Sequence, residues 1–349
     1  MKQISCNTYE IHINNWEVIN DYVSKGGYSS IFVLVDNNTL QYCLPLFEEK
    51  FDSEFKVILI QSGEEHKDLK TCKYIWDKMI ELGADRHSLC INLGGGVIGD
   101  MGGFAASTFM RGMDFVQMPT TLLSQVDASV GGKLGIDYEN YKNLIGIIKN
   151  PGAVFMYTDF LKTLPYNQLL SGFAEVVKHG LIKDFKAFTR LTKLDSLTDI
   201  NWEGLVHDSV IIKKSVTEED PYERGLRKIL NFGHTLGHAI ESHALSSGTP
   251  MLHGEAIAIG MIMETHLSHQ KRYLSLEDAD FVKSKILTLF GHHPDFIPNT
   301  NALLEIMSKD KKNKRGLIKF SLLQKLGEGN FDQEVTIDEI ENAISFYKA

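Results

Sequence analysis

A chain of 349 residues exceeds the size at which one core usually keeps growing, and 43% hydrophobic with 23% charged residues is globular composition, so two domains are expected. The formal charge of −9 disfavours nucleic acid as a partner, although a few lysines in one pocket still favour a small anion locally. No apolar run is long enough for a membrane span, and the start MKQISCNTYEIH lacks a signal-peptide pattern. The four cysteines (Cys6, Cys43, Cys72, Cys90) form no CxxC pair, which predicts free thiols and a cytoplasmic protein.

In chain order, the first half alternates β-branched runs with helical stretches. Ser30–Asp36, Phe55–Ile60, Ser88–Leu93, Asp114–Met118 and Ala153–Tyr157 read as buried strands, and Leu69–Leu82 as a helix among them. That alternation predicts a mostly parallel, doubly wound α/β sheet. Beyond about residue 160 the strand signals fade. Gly172–Asp184, Trp202–Lys214, Leu230–Ala244, Gly254–Lys271 and Leu276–Leu289 carry helical periodicity instead. The prediction is an α/β domain over 1–160 and an all-α domain over 161–349, with the boundary near Phe160–Pro165.

Gly94-Gly95-Gly96-Val97-Ile98-Gly99-Asp100 follows one of the strands. Glycines at such a turn let backbone N–H groups approach a pyrophosphate at a helix N-terminus. Gly94, Gly96 and Gly99 satisfy GxGxxG, but the dinucleotide fingerprint also wants an acid at the end of the next strand, which here ends Gln117-Met118-Pro119-Thr120. The loop is therefore a dinucleotide loop of another kind, or a tight turn. Asp36-Asn37-Asn38 and Gly63-Glu64-Glu65-His66-Lys67 end the first two strands, at the edge where parallel sheets bind ligands. Farther on, Asp127 to Lys133 includes a Gly131-Gly132 pair and is followed by Lys142-Asn143, with Arg111 upstream. Lysine as a mobile point charge and arginine as a planar fork both suit a phosphate.

Seven of the thirteen histidines lie between His207 and His269. Arg227, Asn231, His234, His238 and Glu241 would form one polar stripe in a continuous helix. Gly233 and Gly237 inside it weaken a helix by roughly 1 kcal/mol each and mark close approach of a ligand or another backbone. His253 follows in Leu252-His253-Gly254-Glu255, and Glu175 and Lys178 share a face of an apolar helix. Two neutral imidazoles and a carboxylate with one open position make a catalytic zinc set. The spacing leaves open which two of His234, His238 and His253 bind.

Taken in order, GGGVIGDMGGF, RGMDFVQMPTTLLSQVDASVGGKLGID, KNLIG, TLPYNQLLSGFAEVVKHGLI, GLRKILNFGHTLGHAIE and LHGEAIAIGM resemble the motifs of the 3-dehydroquinate synthase family, within the sugar phosphate cyclase superfamily. The resemblance spans roughly residues 36 to 327. It implies an NAD-binding α/β domain, a helical metal-binding domain, catalysis in the cleft between them, and a homodimer. The implied substrate is 3-deoxy-D-arabino-heptulosonate 7-phosphate, and the products are 3-dehydroquinate and phosphate. The implied course is transient oxidation by NAD, loss of phosphate, return of the hydride and aldol closure.

By motif match the resemblance assigns Glu175, His234 and His253 to zinc or cobalt, and His238 to a supporting or proton-handling role. It assigns the nucleotide to Asp36, Asn38, Glu64 and Lys67, then to Gly95 through Asp100 (Gly95, Gly96, Val97, Ile98, Gly99, Asp100). Thr120, Thr121, Lys133, Lys142, Asn143, Phe160, Thr163 and Leu164 complete that set. Substrate contacts are implied for Arg111, Asp127, Lys133, Lys178, Lys213, Arg227, Asn231 and Lys312, with Lys311 as a lesser candidate. Sister cyclases making 2-deoxy-scyllo-inosose or epi-valiolone, whose substrates lack the carboxylate, and metal-dependent polyol dehydrogenases are the rival readings. Arg227 and the Asp310-Lys311-Lys312 segment favour a carboxylate, and the lysine-rich loop argues against a dehydrogenase.

Overall fold

The computed structural model describes residues 2–139, 141–194, 196–197, 200–308 and 318–349. They form two compact units. One runs to Leu169 and takes in Asn201–Glu218, and the other comprises Leu170–Ile200 and Glu219–Ala349. The helix Trp202–Glu219 therefore belongs almost wholly with the first unit, far along the chain from the rest of it.

The first unit contains strands β1 (Lys2–Ser5), β2 (Glu10–Ile13), β3 (Ile31–Asp36), β4 (Lys56–Ile60), β5 (Leu89–Gly94) and β6 (Asp114–Pro119). After the hairpin β7 (Lys133–Tyr138) and β8 (Tyr141–Ile148) comes β9 (Ala153–Met156). The main sheet has the order β1-β2-β9-β6-β5-β3-β4, antiparallel only between β1 and β2. All five strands expected from the β-branched runs are present. The runs of β3, β5, β6 and β9 are buried on both faces, whereas the edge strand β4 leaves Val57 and Leu59 exposed. Val33 and Val35 join Phe47 and Phe155 on one side, while Phe32 and Leu34 join Ile75, Met101 and Phe104 on the other.

From β3 the chain moves to the edge to form β4, then crosses back to place β5 on the other flank of β3. Strand order thus reverses between β3 and β5, and the carboxyl ends of these two strands carry Asp36 and Gly94. Open α/β sheets bind ligands in the crevice at such a reversal.

The second unit is mainly helical, with most of Tyr166–Lys183 and the helices His234–Ser246, His253–Gln270, Leu276–Phe290 and Ile337–Lys348. A hairpin, β10 (Lys319–Lys325) and β11 (Glu328–Glu334), and the helix Ile337–Lys348 are added to the helices that the periodicity predicts. Phe320, Ser321, Leu322 and Leu323 are buried in succession, so β10 carries no alternation that marks it as a strand.

The continuous helix expected from Arg227 to Glu241 is not formed. A 3₁₀ turn covers Leu226–Asn231, and the α-helix begins only at His234, after Gly233 in the left-handed region at φ 80. The cause is packing. A Cβ on Gly233 would lie 2.6 Å from Met261 Cγ, and one on Gly260 would collide with Gly233 O. The glycines serve the approach of helix His253–Gln270, which forces the chain out of helical conformation before His234.

Candidate active site

In the second unit, three segments converge on one carboxylate. Glu175, on helix Tyr166–Lys183, is fully buried. Its Oε1 lies 3.5 Å from His234 Nε2 and 3.4 Å from His253 Nε2, and Lys178 Nζ contacts Oε2 from one turn along the same helix. Neither carboxylate oxygen accepts a well-formed hydrogen bond among the described residues. Ligand atoms held ~2.1 Å from a tetrahedral ion stand roughly 3.4 Å apart. The two distances from Glu175 Oε1 to the imidazole nitrogens thus match edges of a coordination tetrahedron. Two imidazoles and a carboxylate are a donor set that zinc or cobalt accepts, so the residues fit the metal that the motifs imply.

Each imidazole is held by its other nitrogen. Nδ1 of His234 donates to Phe232 O at 3.1 Å, and Nδ1 of His253 lies 3.5 Å from Glu241 Oε2. A carbonyl or carboxylate only accepts, so both Nδ1 atoms carry protons and both Nε2 atoms face Glu175. His238 has a ligand atom within 4.8 Å of those of His234 and His253, but the residue is exposed. Glu175 reaches His234 and His253, while the ligand atoms of all three histidines lie within 4.8 Å of one another.

Charge follows the same geometry. Burial opposes ionisation of Glu175, yet the Lys178 ammonium and the histidines outweigh it and hold the carboxyl well below its usual range. Burial, then Lys178, holds His234 well below the ordinary histidine value, leaving it neutral. Burial also opposes a charge on His253, but Glu175 and Glu241 outweigh it and raise the imidazole to about 9. An ion binding here displaces that proton.

Close packing of glycine sets the helix crossing. Gly254 N donates to Ser171 Oγ at 2.9 Å, and a Cβ on Gly254 would run into Ser171 O. Helix His253–Gln270 can therefore lie against helix Tyr166–Lys183 one turn before Glu175, which brings His253 to the carboxylate.

In the first unit, the sheet edge gathers a second set. Lys67 is buried, and its Nζ donates to Asp100 Oδ2 and Asn143 Oδ1, both at 2.7 Å, with Glu64 Oε1 at 3.8 Å. Burial alone would lower the Lys67 value, but Asp100 and Glu64 outweigh it and raise it. Asp100 is raised by burial, which Lys67 only partly offsets. Asn143, at φ 51, is held by its N–H to Asp137 Oδ1 at 2.7 Å, and Asp137 N donates to Lys67 O at 2.8 Å. Asp137 closes the motif that ends LGID, but nothing in its spacing marks the contact it makes with Asn143.

Gly95 precedes the helix Gly96–Thr108, and Gly94, Gly95, Gly96 and Asp100 line a cleft with Ser124 and Ser129. Val97, Ile98 and Gly99 follow in the first turn of that helix. Asp36 caps helix Asn37–Tyr42 by accepting from Thr39 N at 2.8 Å, with Asn38 exposed beside it. Thr120 N donates to Gly94 O at 3.0 Å, and Thr121 Oγ1 lies 2.9 Å from Ser124 Oγ. The Phe160 ring is buried against Trp16 and Tyr157, so it meets no ligand without rearrangement, whereas Thr163 and Leu164 lie near the surface.

The substrate candidates divide between the units. Asp127 Oδ1 lies 2.6 Å from Lys213 Nζ, both in the first unit, while Arg111, Lys133 and Lys142 are exposed there. In the second unit, Arg227 is buried and its Nη1 donates to Pro221 O at 2.8 Å, and Asn231 Nδ2 donates to Glu223 Oε1 at 2.6 Å. Asp220 accepts N–H bonds from Arg224, Gly225 and Arg227, so this acid, missed in the sequence, shapes the turn that carries Arg227. Lys311 and Lys312 lie outside the described residues.

Comparison with known proteins adds the ancestry. Residues 57–171 match the family described as 3-dehydroquinate synthase N-terminal, and residues 172–313 match 3-dehydroquinate synthase C-terminal. The chain is 40% identical over 337 residues to the 3-dehydroquinate synthase of Parabacteroides distasonis, covering 95% of this chain and 94% of that one. Among solved structures, 2-epi-5-epi-valiolone synthase from Streptomyces hygroscopicus, with NAD+ and Zn2+ bound, superposes with a TM-score of 0.85. It is 25% identical, covering 100% of this chain and 98% of that one. A 2-deoxy-scyllo-inosose synthase complexed with carbaglucose-6-phosphate, NAD+ and Co2+ has a TM-score of 0.82 at 24% identity, covering 98% of each chain.

Proposed function

The chain belongs to the 3-dehydroquinate synthase family, and we propose that its first unit holds NAD while its second holds a divalent metal through Glu175, His234 and His253. The reaction is that of the family: 3-deoxy-D-arabino-heptulosonate 7-phosphate becomes 3-dehydroquinate and phosphate. The observation that carries the metal assignment is the buried Glu175 carboxylate, without a well-formed hydrogen bond among the described residues and 3.4–3.5 Å from two imidazole nitrogens.

When bound, NAD supplies a reversible hydride acceptor and zinc or cobalt a Lewis acid at a substrate oxygen. The protein's own groups supply position and charge. The N–H groups opening helix Gly96–Thr108 meet the pyrophosphate. Asp36 stands at the end of β3, next to β5, and takes the ribose-binding role that no acid at the end of β6 fills. Lys67, Asp100 and Asn143 fix the surrounding loops. Lys133, Lys213 and Arg111 meet the phosphate group, Arg227 forks onto the substrate carboxylate, and Asn231 orients the sugar. Lys178 keeps Glu175 ionised, and the exposed His238 passes protons.

The resemblance also supports a homodimer in the cytoplasm, consistent with four unpaired thiols. One assay tests the reaction. Metal-loaded protein given the heptulosonate phosphate and trace NAD is expected to release phosphate in large excess over NAD, without lasting NADH absorbance. Net NADH with no phosphate release would sink this reading and favour a dehydrogenase. Turnover only of substrates lacking the carboxylate would favour a sister cyclase.

A further inference from the structure

Glu264 lies on helix His253–Gln270 and is fully buried. Its Oε2 accepts from Gly233 N at 2.6 Å and its Oε1 from Leu236 N at 3.1 Å. These two amides bracket His234, and neither the motif reading nor the proposed mechanism uses the residue that holds them.

The arrangement has a local cause. His234 is the first residue of its helix, where the leading N–H groups lack intrahelical partners and the turn frays. Most helices satisfy those groups with a Ser, Thr, Asp or Asn at the N-cap. That position here is Gly233, which must be glycine because of its φ of 80 and the approach of Met261 and Gly260. It has no side chain to cap with, and the cap comes from the neighbouring helix instead. The same turn presents Phe232 O to His234 Nδ1, which sets the ring so that Nε2 faces Glu175.

We propose that Glu264 is a positioning residue for the metal: by clamping Gly233 and Leu236 it holds the Phe232–His234 turn, and so aims His234 Nε2 at the ion. This rests on the assignment of the metal to Glu175, His234 and His253. A carboxyl on the helix that carries His253 thereby ties the second histidine ligand to the first. Partners of metal-ligating histidines typically govern about 10–100-fold of metal affinity.

The experiment titrates metal-free full-length protein with Co2+, following the visible absorption of the bound ion, in wild type, Glu264→Gln, Glu264→Asp and Ser268→Ala. Ser268 Oγ donates to Glu264 O at 2.7 Å and accepts from Leu323 N, so its loss perturbs the same buried helix without touching the clamp. Thermal melts in chelator report folding separately. The expected result is Co2+ binding weakened about 10–100-fold in Glu264→Gln with an altered band shape, partial recovery in Glu264→Asp, and wild-type binding in Ser268→Ala despite a lower melting temperature. Folded Glu264 variants with wild-type affinity and spectrum would overturn the proposal. So would variants that do not fold at all, which would assign Glu264 to the fold alone. Wild-type protein that takes up no Co2+ would remove the metal assignment itself, and this inference with it.

Discussion

Lys67 Nζ lies 2.7 Å from Asp100 Oδ2, linking the loop after β4 to the helix after β5 across 33 residues of sequence. The same ammonium reaches Asn143 on β8, so one buried cation joins three segments at the carboxyl edge of the sheet. Its charge is balanced within the protein, which makes it a brace for the three segments.

Lys67→Met is expected to weaken NAD binding at least ~10-fold and to lower stability by about 3 kcal/mol, because Asp100 keeps its burial without its partner. Lys67→Met combined with Asp100→Leu should regain most of the stability but none of the NAD affinity. Denaturant melts and fluorescence titration with NAD separate the two effects. Equal recovery of both in the double variant would show that the pair acts on stability alone.

His234→Ala and Glu175→Gln are expected to lose stoichiometric zinc after dialysis, whereas His238→Ala keeps the metal and loses turnover. Metal content by atomic absorption, set beside phosphate release, reads both quantities. Loss of zinc from all three variants would make His238 a ligand.

Gly254→Ala places a methyl against Ser171 O at the helix crossing. Overpacking of this kind costs about 1–3 kcal/mol. A fall in melting temperature together with weaker Co2+ binding is expected, because the crossing also sets the distance from His253 to Glu175. A melting shift with unchanged Co2+ affinity would separate the crossing from the metal.

Asp220→Ala removes the acceptor for three backbone N–H groups in the turn before Arg227. The predicted outcome is a KM for the heptulosonate phosphate raised about 10-fold or more, with a smaller change in kcat, since the lost bonds are worth roughly 1–3 kcal/mol and act through substrate placement. Steady-state kinetics would show this; a fall confined to kcat would remove Arg227 from substrate binding.

Much of this was legible in the chain itself. The runs Ser30–Asp36 and Ser88–Leu93 read as buried strands because apolar and β-branched residues dominate them. Periodicity located the main helices of the second unit. It erred at Arg227 to Glu241, where 3.6-residue spacing is satisfied on paper but Gly233 yields to an approaching helix. Local spacing does not encode what packs against a segment from elsewhere in the chain.

The same limit divides the two sites. Residue types singled out the histidines and carboxylates for a metal and the lysines for a phosphate, but left the glycine loop open between a dinucleotide loop and a tight turn; the family resemblance carried the nucleotide. Which of them meet was settled by strand order and helix crossing. The reversal between β3 and β5 puts Asp36 beside the glycine loop, where chain order pointed to β6. The contact of Gly254 with Ser171 brings His253 to Glu175. Such contacts depend on backbones that fit only where a side chain is missing, and that complementarity arises only once the chain has folded.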